Sequence, residues 1–244
     1  MIVRRFHRIP SLLYEKPTNL KNKKLSSQKW ILRQLKDPYV EMARQENYRC
    51  RSAFKLLEIN KKYNILQPGF CVVDCGAAPG SWTQVAVKLT NSNEKVVDQR
   101  RGKVIAIDIL PIHDIEGATT LGNLDFTTNE TFTMVKDCLK PKFADVVMSD
   151  MAPNATGIKE LDHENIIKLA YSAFKFAILS STYNATLIVK VWDGTESLGL
   201  EKDIEKFYKN VKIVKPVASR SESSEKFILA RGFKGLSPLY LLNN

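Results

Sequence analysis

The sequence predicts a doubly wound α/β domain, in which a mostly parallel sheet of seven strands carries helices on both faces. Seven short apolar runs follow residue 69 and alternate with stretches of helical periodicity. The runs have the length of buried strands and are bounded by Gly, Pro, Asn and Asp. With 244 residues, of which 44% are hydrophobic, the chain can bury one full-sized core. We therefore expect one α/β domain with appendages.

The elements of this domain are predicted in order along the chain. Asp37 followed by Pro38 is typical of an N-cap and a first helical turn, and predicts a helix through about Arg49. A second helix is expected over residues 53–63. The predicted strands are then FCVVD, KVIAID, GATTL, ADVVMSD, ATLIVKVW, VKIV and KFILA. The polar tract at residues 90–102 is an insertion before the second strand, and we assign it no function.

The net charge of +11 is unevenly distributed. Residues 1–30 hold eight Lys and Arg against one Glu, a composition typical of a mitochondrial transit peptide. A basic arm that stays attached and touches RNA is the alternative. Residues 33–62 and 211–234 carry +4 each, whereas residues 63–210 sum to −4. We expect a polyanion to bind the surface built by the two basic segments, leaving the acidic middle for a small molecule.

The composition gives no sign of a membrane span or a metal site. No apolar stretch approaches the roughly 20 residues of a membrane-spanning helix. The four cysteines, at positions 50, 71, 75 and 138, form no C-x-x-C pair and have no histidine at a metal-ligand spacing. We interpret Cys71 and Cys75 as small apolar residues in a reducing compartment, with zinc binding as the alternative. No metal is predicted.

A glycine-rich turn, CGAAPGSW at residues 75–82, follows the first predicted strand. Small residues at this edge of such a sheet let the backbone approach a nucleotide-like ligand. The spacing of Gly76 and Gly80 fits neither the dinucleotide motif nor the phosphate loop. Asp108 ends the second strand, where its carboxylate can accept hydrogen bonds from ribose, and Asp125 follows near the same edge. Carboxylates there suit a neutral or cationic adenosine ligand such as S-adenosylmethionine; the alternative is that each caps a turn or helix.

Charged residues also occur in two later strands. The run ADVVMSD ends in Asp150, and LIVK places Lys190 between Val189 and Val191. An ionised lysine in an apolar run is costly to desolvate unless it is paired, and Asp150 is a candidate partner. A lysine in a partly desolvated site can act as a base. The alternative is a lysine at a strand end whose amino group reaches solvent.

Five stretches of the chain resemble the FtsJ/RrmJ family of ribose 2′-O-methyltransferases, and within it the mitochondrial rRNA methyltransferase 2 branch. They are DPYVEMARQENYRCRSAFKLLEI, VVDCGAAPGSW, VVMSDMAPNATG, LIVKVWDG and KPVASRSESSEKFILA. The resemblance covers about residues 35–232. It implies a Rossmann-like S-adenosylmethionine-dependent methyltransferase fold, and we place this domain at residues 35–236.

The resemblance implies a role for each site residue. The family's Lys-Asp-Lys-Glu tetrad falls on Lys55, Asp150, Lys190 and Glu225. Lys190 is implied to be the general base that takes the proton of the ribose 2′-hydroxyl. Asp150 would orient Lys190, and the other two would position the ribose. The residues implied to bind S-adenosylmethionine are Pro79, Gly80, Ser81, Trp82, Asp108, Asp125 and Asp150. By itself Trp82 is as readily a core aromatic.

The implied reaction is 2′-O-methylation of a ribose, taken to be that of a uridine, in mitochondrial large-subunit rRNA within the matrix. The partner would be naked rRNA or a preribosomal particle. Alternatives are an rRNA-binding ribosome-assembly factor in which methyl transfer is secondary, and a tRNA or messenger-cap 2′-O-methyltransferase. Candidate phosphate contacts, for which a solvated charged face is the alternative, are Arg49, Arg51, Lys61, Lys62, Lys215 and Arg220. We expect His163 to be structural or exposed.

Overall fold

The computed structural model describes residues 24–153 and 156–236. The helices and strands there are, in chain order, α1 (Leu25–Leu35), α2 (Pro38–Gln45), α3 (Ala53–Tyr63), β1 (Cys71–Cys75), α4 (Ser81–Thr90), β2 (Lys103–Asp108), β3 (Ala118–Gly122), α5 (Asn129–Leu139), β4 (Ala144–Ser149), α6 (Lys159–Ser180), β5 (Ser181–Trp192), α7 (Thr195–Phe207), β6 (Tyr208–Val214) and β7 (Glu225–Phe233). The strands form one sheet in the order β3-β2-β1-β4-β5-β7-β6. Strand β7 is antiparallel to β5 and β6, and the other pairs are parallel.

Two apolar clusters cover the two faces of this sheet. On one face, α3 and α4 pack onto the strands through residues such as Ile59 and Val85. On the other face, α5, α6 and α7 do so through residues such as Val135, Ile166 and Leu200. All five side chains are fully buried. The predicted fold class, a mostly parallel seven-stranded sheet with helices on both faces, is therefore confirmed.

The first predicted helix is shorter than expected. The sequence predicts that it runs from Pro38 to about Arg49, but the corresponding helix, α2, covers Pro38–Gln45. Asn47 adopts a left-handed conformation with φ of 58°, and the N–H of Tyr48 donates to the carbonyl of Ala43 at 2.8 Å. Asparagine tolerates this conformation and commonly terminates helices in this way. The chain therefore turns into α3, whose bounds match the prediction.

Residues 1–30 are predicted to form a transit peptide, and the first 23 of them lie outside the described residues. Helix α1 begins at Leu25, inside the predicted segment. Cleavage of the transit peptide and import of the protein therefore stay predictions. Within the described ranges, no helix is both long enough and apolar enough to cross a bilayer.

The insertion at residues 90–102 is an organised loop built around Asn91. The side chain of Asn91 is buried, and its amide donates to the carbonyls of Val96 and Gln99 at 2.9 and 3.1 Å. Its oxygen accepts the N–H of Val96 at 3.0 Å. Arg100 and Arg101 end the loop beside the first residues of β2. The loop thus lies at the amino ends of the parallel strands.

All four cysteines are free thiols, and Cys71 and Cys75 are buried in β1. Burial, together with the nearby Asp74 carboxyl, raises the pKa of the Cys75 thiol. Both therefore pack as small apolar residues. Over residues 24–153 and 156–236, no three His, Cys, Asp or Glu side chains are grouped to hold a metal ion.

Candidate active site

The pleat of the sheet sends the charged strand residues to one face. Ile188 and Phe227 belong to the apolar cluster beneath α3 and α4. Side chains two residues apart in a strand share a face, so Lys190 and Glu225 also point toward α3. Asp150 follows β4 directly and meets them there. The sequence alternation alone therefore places these charges on the side from which α3 approaches.

The structure brings the four predicted catalytic residues together. The Lys190 ammonium nitrogen lies 3.1 Å from Asp150 Oδ1 and 3.8 Å from Glu225 Oε2. The Lys55 nitrogen, contributed by α3, lies 2.8 Å from Glu225 Oε1 and 3.5 Å from Asp150 Oδ1. The four side chains are 7–15% exposed. Each ammonium thus faces both carboxylates, and the cluster is neutral as a unit.

The two lysines of this cluster differ in their surroundings. Burial lowers the pKa of Lys55, but attraction to Asp150 and Glu225, together with hydrogen bonds to both, outweighs burial and raises it. Lys55 therefore stays an ammonium ion at neutral pH and cannot accept a proton. Lys190 donates to the backbone carbonyl of Asp150 in addition to its carboxylate contact. Lys190 thus has a backbone acceptor that Lys55 lacks.

Ser219 is a further residue that holds Glu225, and it was not predicted from the sequence. The hydroxyl of Ser219 donates to Glu225 Oε1 at 2.8 Å. Its loop is anchored by Arg220, whose guanidinium lies 3.2 Å from Asp37, and Asp37 also pairs with Arg51 at 2.6 Å. Ser219 lies in the motif KPVASRSESSEKFILA, but a serine in a polar loop carries no recognisable signal in sequence. The hydrogen bond to Glu225 in the structure is what assigns Ser219 the role of holding that carboxylate.

The glycine-rich turn packs too closely for side chains at its two glycines. A Cβ atom at Gly76, where φ is 74°, would lie 1.9 Å from Met151 Cγ. A Cβ atom at Gly80, where φ is 112°, would lie 2.6 Å from Ile115 Cδ1. Both φ values lie in the left-handed region that favours glycine. Gly80 is also the N-cap of α4 and provides no side-chain cap.

Asp108 borders this turn, Asp125 follows β3 two strands away from β1, and both make local contacts of the kind given as the alternative interpretation. Asp108 is buried and accepts the backbone N–H groups of Ala78 and Leu110, each at 2.8 Å. Asp125 is exposed, and its Oδ1 accepts the N–H and hydroxyl of Thr127 at 2.9 and 2.7 Å. Because each carboxylate oxygen has two acceptor sites, both residues keep capacity for a ligand.

Comparison with known proteins identifies the family. Residues 48–233 match the family described as FtsJ-like methyltransferase. The chain belongs to this family. It is 52% identical over 221 residues to "rRNA methyltransferase 2, mitochondrial" of Drosophila melanogaster, covering 91% of this chain and 88% of the relative. It is 45% identical over 215 residues to "Ribosomal RNA large subunit methyltransferase E" of Ruegeria pomeroyi, covering 88% and 91%.

A solved structure agrees with this family. The crystal structure of a ribosomal RNA methyltransferase from Plasmodium falciparum superposes with a TM-score of 0.68 at 26% sequence identity. The match covers 78% of this chain and all of that chain. The resemblance to the FtsJ/RrmJ family and its mitochondrial rRNA methyltransferase 2 branch is thus confirmed.

Trp82 of this FtsJ-like methyltransferase lies in the core beneath the tetrad. Its ring is buried and packs against Phe227, with centroids 5.5 Å apart. The Lys55 nitrogen lies 5.7 Å from the centroid of Phe227. The indole N–H donates to the carbonyl of Ser52 at 2.9 Å. The two rings therefore form an apolar floor under Lys55, and only the backbone of Trp82 remains for a ligand.

Four of the candidate phosphate contacts have partners within the FtsJ-like methyltransferase. Arg49 donates to the carbonyls of Pro79, His113 and Asp114 at 2.7–2.9 Å and so clamps the glycine-rich turn. Arg51 and Arg220 pair with Asp37, as described above, and Lys215 donates to the carbonyls of Ser221 and Ser223. Lys61 and Lys62 are exposed in the last turn of α3.

His163 has a structural partner, in line with the sequence-based expectation. Its Nε2 lies 2.9 Å from Glu196 Oε2, and its side chain is largely buried. A Cβ atom at Gly194 would lie 2.4 Å from the His163 ring. His163 therefore packs under the turn that follows β5.

Asp74 is a further buried carboxyl, which sequence analysis noted only as the end of the first strand. Burial raises the pKa of Asp74 to about 7, assisted by the carboxylates of Asp150 and Asp108 and opposed by a hydrogen bond from Thr83. The Thr83 hydroxyl donates to Asp74 Oδ2 at 2.7 Å. Asp74 therefore titrates near neutral pH between the tetrad and the glycine-rich turn.

We expect Asp74→Asn to change the pH dependence of stability. Folding raises the pKa of the Asp74 carboxyl from 3.8 to about 7. The stability associated with this carboxyl is therefore fully present below pH 3.8 and is lost as the pH rises through about 7. Asparagine removes this titration and keeps an acceptor for Thr83. The free energy of unfolding of the variant, relative to the parent, should therefore increase by about 2–4 kcal/mol between pH 4 and pH 8. Urea unfolding at several pH values measures it.

The matched control for this measurement is Asp98→Asn, at an exposed position of the 90–102 loop. Its stability relative to the parent should stay constant over the same pH range. A constant difference for Asp74→Asn as well would show that Asp74 ionises normally in the folded protein.

Proposed function

We propose that this FtsJ-like methyltransferase transfers a methyl group from S-adenosylmethionine to the 2′-hydroxyl of a uridine ribose in mitochondrial large-subunit rRNA. The observation that carries the proposal is the buried Lys55-Asp150-Lys190-Glu225 cluster, in which both lysine nitrogens face both carboxylates and the raised pKa of Lys55 keeps that residue protonated. The names of the curated relatives from Drosophila melanogaster and Ruegeria pomeroyi support an rRNA substrate.

The residues around the glycine-rich turn fit S-adenosylmethionine. The first N–H groups of α4, at Ser81 and Trp82, lack intrahelical partners and suit a carboxylate. The carboxylates of Asp108 and Asp125 can accept hydrogen bonds from the ribose and adenine. Asp150 can do so from the amino group, while Pro79 and Gly80 form the wall. When bound, S-adenosylmethionine supplies a methyl group on a positively charged sulfur.

Each tetrad residue has one role in the proposed reaction. Lys190 Nζ, in its unprotonated amine form, accepts the proton of the ribose 2′-hydroxyl and becomes an ammonium as that oxygen becomes the nucleophile. Asp150 holds the Lys190 nitrogen in place at 3.1 Å. Lys55, which stays an ammonium ion, donates hydrogen bonds, and Glu225 joins both lysines and accepts from the ribose. The main contribution of the cluster is therefore to orient the hydroxyl and remove its proton.

The acceptor is proposed to be RNA because the basic segments meet the tetrad. A cavity of about 380 Å³ is lined by Lys55 and Glu225 and also by Arg33, Arg51 and Arg220. Cationic side chains at such an opening attract phosphate groups. The 2′-hydroxyl is the group that distinguishes RNA from DNA.

We further propose that the protein acts in the mitochondrial matrix. The basic composition of residues 1–30 supports removal of a presequence there, and the relative from Drosophila melanogaster is named as mitochondrial. The catalytic domain would then correspond to residues 35–236.

The proposal is tested by methyl transfer from labelled S-adenosylmethionine to mitochondrial large-subunit particles and to naked rRNA. We expect label at a single large-subunit ribose, mapped as a 2′-O-methyluridine, and no label with the Lys190→Met variant. RNA and cofactor binding without transfer to either substrate would instead indicate an assembly factor. Label on tRNA alone would indicate a tRNA methyltransferase.

A further inference from the structure

A continuous groove follows the sheet edge opposite the tetrad. Asp150 and Lys190 lie at the carboxyl ends of β4 and β5, whereas three cavities of about 420, 590 and 730 Å³ lie at the amino ends of the parallel strands. The two larger cavities share Arg101 and Lys142. The largest shares Phe70 with the smallest. The three cavities therefore adjoin, and we refer to them together as the amino-edge groove.

The amino-edge groove is strongly basic. Its cationic lining residues are Arg100, Arg101, Lys103, Lys142 and Arg231. Asp145 is the only carboxylate among the lining residues, and it accepts the N–H of Cys71 at 2.7 Å. Arg101 pairs with Glu94 at 3.3 Å, and Lys103 donates to backbone carbonyls. The groove thus presents a surplus of positive charge.

The side chains of three of these cations have no partner within the fold. Arg100, Lys142 and Arg231 are exposed, and the side chain of none of them makes a hydrogen bond or ion pair with another described residue. Cations that are not needed internally can exchange their counterions for the phosphates of a nucleic acid. Arg100 is supplied by the 90–102 loop, which the buried Asn91 side chain keeps in shape. The insertion therefore places a cation in the groove.

Exposed aromatic rings accompany the cations. Phe143 and Tyr183 are 52% and 64% exposed. Unpaired bases stack on such rings, and aromatic side chains between basic ones are typical of surfaces that bind single-stranded RNA. Lys209 lies 4.8 Å from the centroid of Tyr183 and covers one face of that ring. We therefore take Phe143, next to Lys142, as the stacking position.

We infer that the amino-edge groove binds a second, partly unpaired segment of the RNA whose ribose enters the tetrad. The inference rests on the proposed function for the identity of that RNA. A strand of five or six residues is about 17–20 Å long, so a single folded RNA can reach both edges of the sheet. The phosphates would lie at Arg100 and Lys142, with one base on Phe143.

The test is the charge-reversed double variant Arg100→Glu with Lys142→Glu, which breaks no native ion pair. We expect its affinity for a domain-length fragment of large-subunit rRNA to fall about tenfold near 0.1 M salt. The slope of log affinity against log salt should shrink by about 1.4, the value for two lost single-strand phosphate contacts. Affinity for a short hairpin that carries only the target ribose should match that of the parent.

The control double variant is Lys175→Glu with Lys202→Glu, which makes the same change in net charge at exposed positions of α6 and α7. It should bind the long RNA within about twofold of the parent. Equal losses in both double variants would overturn the inference, because net charge rather than the groove would then matter. Unchanged long-RNA affinity in the first variant would also overturn it.

The two double variants are compared by their affinity for RNA, so the comparison does not depend on methyl transfer. Absence of methyl transfer in the parent would refute the proposed function while leaving the groove measurement intact. Thermal unfolding verifies that each variant folds. If charge reversal lowers the melting temperature, Arg100→Gln with Lys142→Gln tests the same groove, with an expected loss of about threefold.

Discussion

Lys190→Met is expected to lower the single-turnover rate of methyl transfer by about 10³-fold, while S-adenosylmethionine binding stays within a few-fold of the parent. Methionine fills a similar volume in the buried position of Lys190 but cannot accept a proton. Lys55 cannot replace it, because the raised pKa of Lys55 keeps that nitrogen protonated. Rapid-quench measurement of transfer and calorimetric titration of the cofactor check the two halves of this prediction.

The matched control is Lys226→Met in the neighbouring strand. Lys226 lies beside Glu225 in sequence but pairs with the exposed Asp193 at 2.8 Å, outside the tetrad. Its removal should change the transfer rate by no more than about twofold, because exposed pairs contribute little. A comparable loss of transfer rate in both variants would mean that Lys190 affects the rate only through its charge or through the stability of the fold. Retention of activity by Lys190→Met would remove Lys190 from the role of base.

Asp108→Ala should have the opposite signature. We expect the dissociation constant for S-adenosylmethionine to rise roughly 10- to 100-fold, with a loss of less than about tenfold in the transfer rate at saturation. The substitution removes an acceptor for the ribose and also leaves the N–H groups of Ala78 and Leu110 unpaired, which loosens the glycine-rich turn. Calorimetric titration followed by single-turnover transfer at saturating cofactor measures both quantities.

Two comparisons make this result specific. Asp108→Asn keeps an oxygen acceptor and loses the charge, so its affinity should lie between those of the parent and Asp108→Ala. Asp98→Ala, in the exposed 90–102 loop, should bind the cofactor as the parent does. Equal losses of cofactor binding in Lys190→Met and Asp108→Ala would contradict the separation of the catalytic and cofactor roles.

The strands, and Asp150 and Lys190 as candidate site residues, could be predicted because their signals are local, whereas Lys55 and Glu225 were implied only by the family resemblance. Each of the seven apolar runs corresponds to an observed strand, and the bounds of α3 match the prediction. Lys190 and Asp150 were identified because charges are rare in buried strands. The end of α2 was misplaced because Asn47 alone decides it, through a left-handed conformation that other residues rarely adopt.

The sequence by itself determined where the chain forms strands and turns and which residues are candidates for the chemistry, because apolar periodicity and motif residues are local features of the chain. Only the tertiary structure decided the contacts. Lys55 and Glu225 are 170 positions apart and meet because the fold brings α3 to the first residue of β7. Residues 63–210 sum to a negative charge, yet four of their cations, Arg100, Arg101, Lys103 and Lys142, line the amino-edge groove. Such proximity depends on packing between distant segments, which no local pattern specifies.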